Sequence, residues 1–253
     1  MMALMERTLE WLGSLPVGWA ALVFLLENAA LLGITVVVGN ALVWLFQRNL
    51  IDEPPPPVTR TELLLVASSV VLNTLVTLVG WWLWRADLIR IRDDSSWRVL
   101  LDVLVLLFVM DFAMYVLHRV AHHRRVYRWV HLTHHVFENP RPMSLFALNP
   151  LEVLGFGGLW LVVLMVYPAS LLGIVVYLTF NLAFGLVGHL GVEPAPWWTR
   201  VPGLRYVMTS SFHAGHHHDK DHNFGFYTLF WDRIFGTLDP SYFDAASDRG
   251  SLE

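Results

Sequence analysis

The sequence predicts an all-α integral membrane protein of about four to five transmembrane helices, with a cytoplasmic helical cap rich in histidine. Three observations predict it. Of the 253 residues, 55% are hydrophobic and only 15% charged, with a mean hydropathy of +0.50, a composition that soluble domains rarely reach. Apolar runs of about 20 residues, long enough at 1.5 Å per residue to cross the hydrocarbon core, recur along the chain. All 12 histidines lie between His118 and His222, which sets the second half chemically apart.

The elements follow in order. Residues 19–46 form the first apolar span, interrupted only by Glu27, Asn28 and Asn40. A polar connector over 47–60 contains Pro54, Pro55, Pro56 and Pro57, through which no helix continues. Residues 61–84 are the second span, ending in Trp81, Trp82 and Trp84 as in an interfacial aromatic belt. A short charged loop over 85–98 leads to a third span, 99–117, which carries Asp102 and Asp111. Residues 151–167 and 169–190 read as a helical hairpin turning at Pro168, and beyond Leu190 the chain is too polar to cross again.

No cleavable signal peptide and no internal repeat is expected. The whole chain, 1–253, reads as one membrane domain: variable spans over 1–98, a histidine-bearing core over 99–240 and a polar tail over 241–253. This topology brings every histidine to one membrane face. Of the 17 lysines and arginines, it leaves Arg7, Arg85, Arg90, Arg92 and Arg98 on the far side and the other 12 with the histidines, so that face is expected to be cytoplasmic.

The histidines recur at helical spacing. His118 and His122 stand at i and i+4, with His123 next to them; His131, His134 and His135 stand at i, i+3 and i+4; His213, His216 and His217 repeat that pattern. Such positions share one helical face and can point at one ion. His189 lies alone at the end of the last span. Neutral imidazole binds iron, zinc and copper well. Nine or so ring nitrogens exceed the capacity of one ion, so two metals are the natural count. Attack on an unactivated C–H bond needs an oxidant that side chains do not supply unaided; two irons with dioxygen would supply it, for hydroxylation or desaturation alike.

Other classes fit less well. Net charge is −4, which argues against a nucleic-acid partner. With no cysteine there are no disulfides, thiolate sites or iron–sulfur clusters held by the chain. A b-type cytochrome needs histidines facing one another within the bundle, and a zinc protease needs HExxH, which does not occur. A membrane metal transporter or metal sensor remains the alternative, although transport predicts ionisable residues along a midplane path and only Asp111 lies deep.

Several neighbours admit two readings. Asp111 shares the face of His118 about 10 Å deeper, as a functional acid or as an acceptor for Tyr or Trp on another helix. Asp102, near the opposite interface, is expected to be solvated. Glu152 either supports a ligand histidine from behind or is a helix N-terminal charge after Pro150. Asn223, Gly225, Trp231 and Asp232 are scaffolding for the site, or belong to an aromatic tail over 224–235 that lies at the membrane interface and closes the site. His123, His218 and His222 are extra to the motifs. They are expected to be solvated or hydrogen-bonded behind ligands, with metal ligation left open.

These residues resemble the fatty acid hydroxylase / sterol desaturase superfamily of membrane di-iron oxygenases. The likeness runs from about Asp111 to Asp239 and rests on the three histidine motifs, Asn149-Pro150-Leu151-Glu152, His189, Asn223-Phe224-Gly225 and the run from Trp231 to Thr237. It implies metal ligation by His118, His122, His131, His134, His135, His189, His213, His216 and His217. It implies two non-haem irons, with zinc as a substitute, dioxygen, and a lipid substrate such as a sterol or fatty acyl chain. No fused cytochrome b5 domain is visible, so an external donor such as cytochrome b5 or ferredoxin with its reductase is expected. Two departures stand out. Asn149 occupies a position where members often have histidine, and Gly185 one where some fatty acid hydroxylases carry another, so the metal sphere is expected to be thinner than in that branch.

Overall fold

The computed structural model describes residues 2–94 and 96–243. The helices are α1 (Met2–Ser14), α2 (Val17–Leu45), α3 (Arg60–Arg85), α4 (Arg98–Ala121), α5 (Tyr127–Val130), α6 (Leu132–His135), α7 (Pro150–Val166), α8 (Leu171–Gly188), α9 (Ser210–His218) and α10 (Phe230–Phe235). Among the described residues there are isolated β-bridges but no strand. Four helices, α2, α3, α4 and α8, are long and apolar enough to cross a membrane; α7 is apolar and one residue shorter than α8. The protein is therefore a multi-pass membrane protein. The amino-terminal helix α1 has no counterpart among the expected elements, and α4 runs one turn beyond the expected end at 117, taking in His118.

Local chemistry sets the boundaries. Pro54 to Pro57 keep the connector extended, and the Thr59 hydroxyl then caps α3 by accepting the Glu62 N–H at 3.1 Å. Asn149 caps α7 through the Leu151 N–H, with Pro150 at the first helical position. Pro168 divides α7 from α8, and Ser170 caps α8 by accepting from Gly173. Thr209 does the same for α9 through Phe212. Helix α10 ends on Gly236 at φ 67°, a left-handed conformation that glycine adopts without strain.

The core lies where α4, α7, α8 and the carboxyl-terminal tail meet: Leu106, Met110 and Met114 pack with Val163, Leu164, Ile174, Tyr177 and Tyr227. Close approach of α3 and α7 depends on Gly157, where an added Cβ would come within 2.6 Å of Val76. At the histidine end, Arg141 pairs with the fully buried Glu62 at 3.2 Å and donates to the Pro56 carbonyl. It thereby joins the connector to the segment after α6.

Asp102 corrects an expectation. It is 1% exposed, not solvated, and accepts hydrogen bonds from Arg92, the Tyr167 hydroxyl and the Ser170 N–H. The α7–α8 turn folds back over the start of α4 and encloses the carboxylate. Arg92, also bound to the Pro168 carbonyl, supplies the countercharge that makes such burial tolerable.

Candidate metal centre

Nine histidines converge at one end of the bundle, and each arrives by a local device. Helix α4 presents His118, and His122 sits just past its end, with its N–H bonded to the His118 carbonyl. The short α5–α6 pair turns His131, His134 and His135 inward. Helix α9 contributes His213, His216 and His217, and His189 caps the end of α8. All nine are buried except His122, which is partly so. They fall into two groups: His118, His122, His131, His135 and His216 in one, His134, His189, His213 and His217 in the other. Within each group the candidate donor atoms lie within 4.8 Å of one another.

The outer ring nitrogens show which way the imidazoles are protonated. His118 Nδ1 donates to the Phe224 carbonyl at 2.9 Å and His216 Nδ1 to the His222 carbonyl at 2.6 Å. His131 Nδ1 lies 2.7 Å from Glu152 Oε1. In the second group, His189 Nδ1 donates to the Gly185 carbonyl at 2.9 Å. Carbonyl oxygens only accept, so the proton sits on Nδ1 and leaves the Nε2 lone pair free.

Those lone pairs face one another. Nε2 of His118 is 3.0 Å from that of His131, and His122 Nε2 lies 3.1 Å from His216 and 3.2 Å from His135. In the second group the Nε2 atoms of His213 and His217 are 3.2 Å apart, and His189 Nε2 is buried without a hydrogen-bond partner. Opposed lone pairs repel unless a cation lies between them. Two nitrogens each about 2.1 Å from a common ion lie about 3.0–3.4 Å apart, so the arrangement fits a transition metal in each group.

A proton does not fill that role at neutral pH. Burial, followed by the neighbouring histidines, pushes His122 down to about 2. Burial, then His118, takes His135 to about 4, and burial takes His189 to about 4. His131, His134, His213, His216 and His217 are lowered as well, by burial first and then by one another. In the unfolded chain these groups protonate near 6.5, so at lower pH the unfolded state binds more protons and acid favours unfolding. Asp232, raised to about 6 by burial, and Glu152, raised by burial as well, act in the opposite sense but are two groups against eight. The melting temperature of the metal-free protein is therefore expected to fall steadily from pH 6.5 to 4. A flat profile over that range in detergent would contradict the burial of the neutral imidazoles.

The other sequence candidates separate. Glu152, 3% exposed, both lies in the first turn of α7 and touches His131. Asp111 touches no histidine; it accepts from the N–H groups of Tyr227 and Thr228 and from the Thr228 hydroxyl, pinning the tail to α4. Asp232 accepts from the Phe224 and Gly225 N–H groups and from Thr237, and so holds the residue whose carbonyl orients His118. Asn223, at φ 62°, bonds to the Phe212 carbonyl and the Asp239 N–H. Asn149 is spent on the α7 cap, with a 3.5 Å contact to Thr133. His123 is exposed, His218 pairs with Asp52, and His222 pairs with Asp219; none joins either group.

Of the tail over 224–235, Phe224 is buried against the rings of His118, His122 and His216, whereas Phe230, Ile234 and Phe235 stay exposed. Sequence reasoning did not single out the ring of Phe224 or the carbonyls of His222 and Phe224, because main-chain acceptors leave no mark in residue type. A cavity of about 440 Å³ lies beside both groups, with His135, His217, Tyr127, Glu138, Asp219 and Lys220 in its lining.

Comparisons with known proteins agree with this geometry. Human lathosterol oxidase is 30% identical over 165 residues, covering 61% of this chain and 53% of that protein. Zebrafish (Danio rerio) methylsterol monooxygenase 1 is 32% identical over 130 residues, 51% of this chain and 44% of that protein. A very-long-chain aldehyde decarbonylase from rice (Oryza sativa subsp. japonica) is 28% identical over 190 residues, 71% of this chain and 30% of that protein. The chain thus spans about half the length, or less, of these curated relatives. No solved structure matches it. A family model described as fatty acid hydroxylase matches residues 103–237, which is more than half of the chain and includes all nine converging histidines. With its histidine spacing, its helical bundle and that match in agreement, the chain belongs to the fatty acid hydroxylase family, within the superfamily that also holds the sterol desaturases.

Proposed function

We propose that this protein is a membrane oxidoreductase that uses two non-haem irons and dioxygen to hydroxylate or desaturate a lipid. The observation that carries the reading is the pair of histidine groups whose Nε2 lone pairs point inward at ion-binding separations. His118, His122, His131, His135 and His216 would hold one ion, and His134, His189, His213 and His217 the other. Zinc would fit the same nitrogens without supplying redox chemistry. Bound iron supplies the capacity to reduce dioxygen and oxidise a C–H bond.

The chain's own part is to keep the imidazoles neutral by burial, to aim them through the carbonyls of Phe224, His222 and Gly185 and through Glu152, and to cover one side of the five-histidine group with the ring of Phe224. The cavity beside the groups has polar walls in Glu138, Asp219 and Lys220, which suit water and small reactants. An apolar chain is better served by the lipid-facing surface of the spans. The names of the relatives, a sterol oxidase, a methylsterol monooxygenase and an aldehyde decarbonylase, support a lipid substrate. Electrons come from a separate protein such as cytochrome b5 or ferredoxin with its reductase, and the excess of arginine and lysine at the histidine end supports a cytoplasmic orientation.

The test is to purify the protein in detergent, measure metal identity and stoichiometry, and supply sterol and acyl lipids with reductant and labelled dioxygen. About two irons per chain and a hydroxylated or desaturated product support the reading. Absence of bound metal, or metal-dependent flux in proteoliposomes without any oxidised product, would refute it in favour of transport or sensing.

A further inference from the structure

The two histidine groups are supported unequally. In the five-histidine group three Nδ1 atoms meet a partner: that of His118 the Phe224 carbonyl, that of His216 the His222 carbonyl and that of His131 the carboxylate of Glu152. In the four-histidine group His189 is held by the Gly185 carbonyl, but Nδ1 of His134 and Nδ1 of His217 are buried with no hydrogen-bond partner. Among the described residues, the only carboxylate touching any of the nine rings is Glu152, placed there by the Asn149 cap and Pro150 at the start of α7.

We propose that Glu152 makes the five-histidine site the tighter of the two metal sites, the one that fills first. The inference rests on the reading that both groups bind metal. Five inward nitrogens exceed four, and rings already oriented lose less freedom when an ion arrives. A carboxylate accepting the Nδ1–H of His131 shifts electron density towards Nε2 and strengthens its bond to a dication. Water does not dilute the effect, because His131 and Glu152 are 2% and 3% exposed. Glu152 Oε1 touches the His131 ring, and Oε2 is buried without a hydrogen-bond partner. Glu152 is thus a positioning residue, acting on the metal through His131.

The test follows metal binding rather than turnover. Chelator-stripped protein in detergent is titrated with cobalt(II), monitored by ligand-field absorbance and by competition with a chromophoric chelator. Two phases of one equivalent each are expected. Glu152→Gln, which keeps the shape and still accepts from Nδ1–H, is expected to weaken the first phase by roughly 10–100-fold and leave the second in place. Glu152→Asp, which keeps the charge, is expected to retain more of the first-phase affinity than Glu152→Gln.

Uptake of both equivalents in one phase by the unmodified protein would overturn the proposal. So would an unchanged first phase in Glu152→Gln, or equal losses in the two variants, since equal losses mean that only packing was disturbed. Failure of the unmodified protein to bind cobalt at all would instead remove the functional reading beneath it.

Discussion

Replacing His216 by alanine is expected to abolish turnover and to lower the metal content of the purified protein. His216 is fully buried, its Nε2 lies 3.1 Å from that of His122, and its ring packs 4.5–4.8 Å from those of His118, His122 and His135. The change deletes an inward lone pair from the five-histidine group. It also frees the His222 carbonyl. Loss of an outer partner of a ligand typically costs 10–100-fold in metal affinity or activity, so loss of the ring itself should exceed about 100-fold. His134→Ala is expected to do the same through the other group. His218→Ala is the control: its ring is exposed, paired only with Asp52 and outside both groups, so metal and turnover should be retained. Elemental analysis of the three variants decides the matter. Full metal content in His216→Ala would remove it from the ligand set.

Asp232→Ala is expected to destabilise the protein by about 3 kcal/mol or more, and to lose metal although it removes no histidine. Asp232 is fully buried and accepts the Phe224 N–H at 2.8 Å, the Gly225 N–H at 2.7 Å and the Thr237 hydroxyl at 2.7 Å. Truncation leaves two buried main-chain donors without an acceptor, at about 1–3 kcal/mol each. The turn has little room to find new partners, since even a Cβ at Gly225 would collide with the Thr228 carbonyl oxygen. As the turn slackens, the Phe224 carbonyl no longer fixes the His118 ring. Asp232→Asn, with one acceptor oxygen in place of two, should fall between wild type and alanine. Thermal melting in detergent with metal analysis tests this; an unchanged melting temperature in Asp232→Ala would contradict the role given to the turn.

The aspartates show where residue type stops being informative. Asp102, Asp111 and Asp232 are chemically alike, and each of the first two lies within one apolar span. In the fold, Asp102 closes the far end of the bundle, Asp111 holds the tail to α4, and Asp232 shapes the turn behind His118. Hydropathy places such a residue by depth alone, and the expectation of a solvated Asp102 failed because two of its three partners, Tyr167 and Ser170, are 65 or more residues away. Glu152 was narrowed to two readings by its position after Pro150, and both describe its placement.

The spans, the proline breaks and the three spaced histidine motifs were legible in the sequence because they depend on local quantities. Those quantities are run length against bilayer thickness, the missing N–H of proline, and i, i+3, i+4 spacing on a helix. His189, with no partner at helical spacing, joined the set only through the family resemblance. The division into groups of five and four was not legible. His131, His134 and His135 sit within five residues, yet His134 joins His189, His213 and His217 while its neighbours join His118, His122 and His216. Which group a ring enters depends on how the rings of α6 and α9 meet, and on main-chain carbonyls that any residue could supply. Those are properties of the tertiary structure, since a carbonyl has no side-chain signature and the meeting of two helices is set by packing far along the chain.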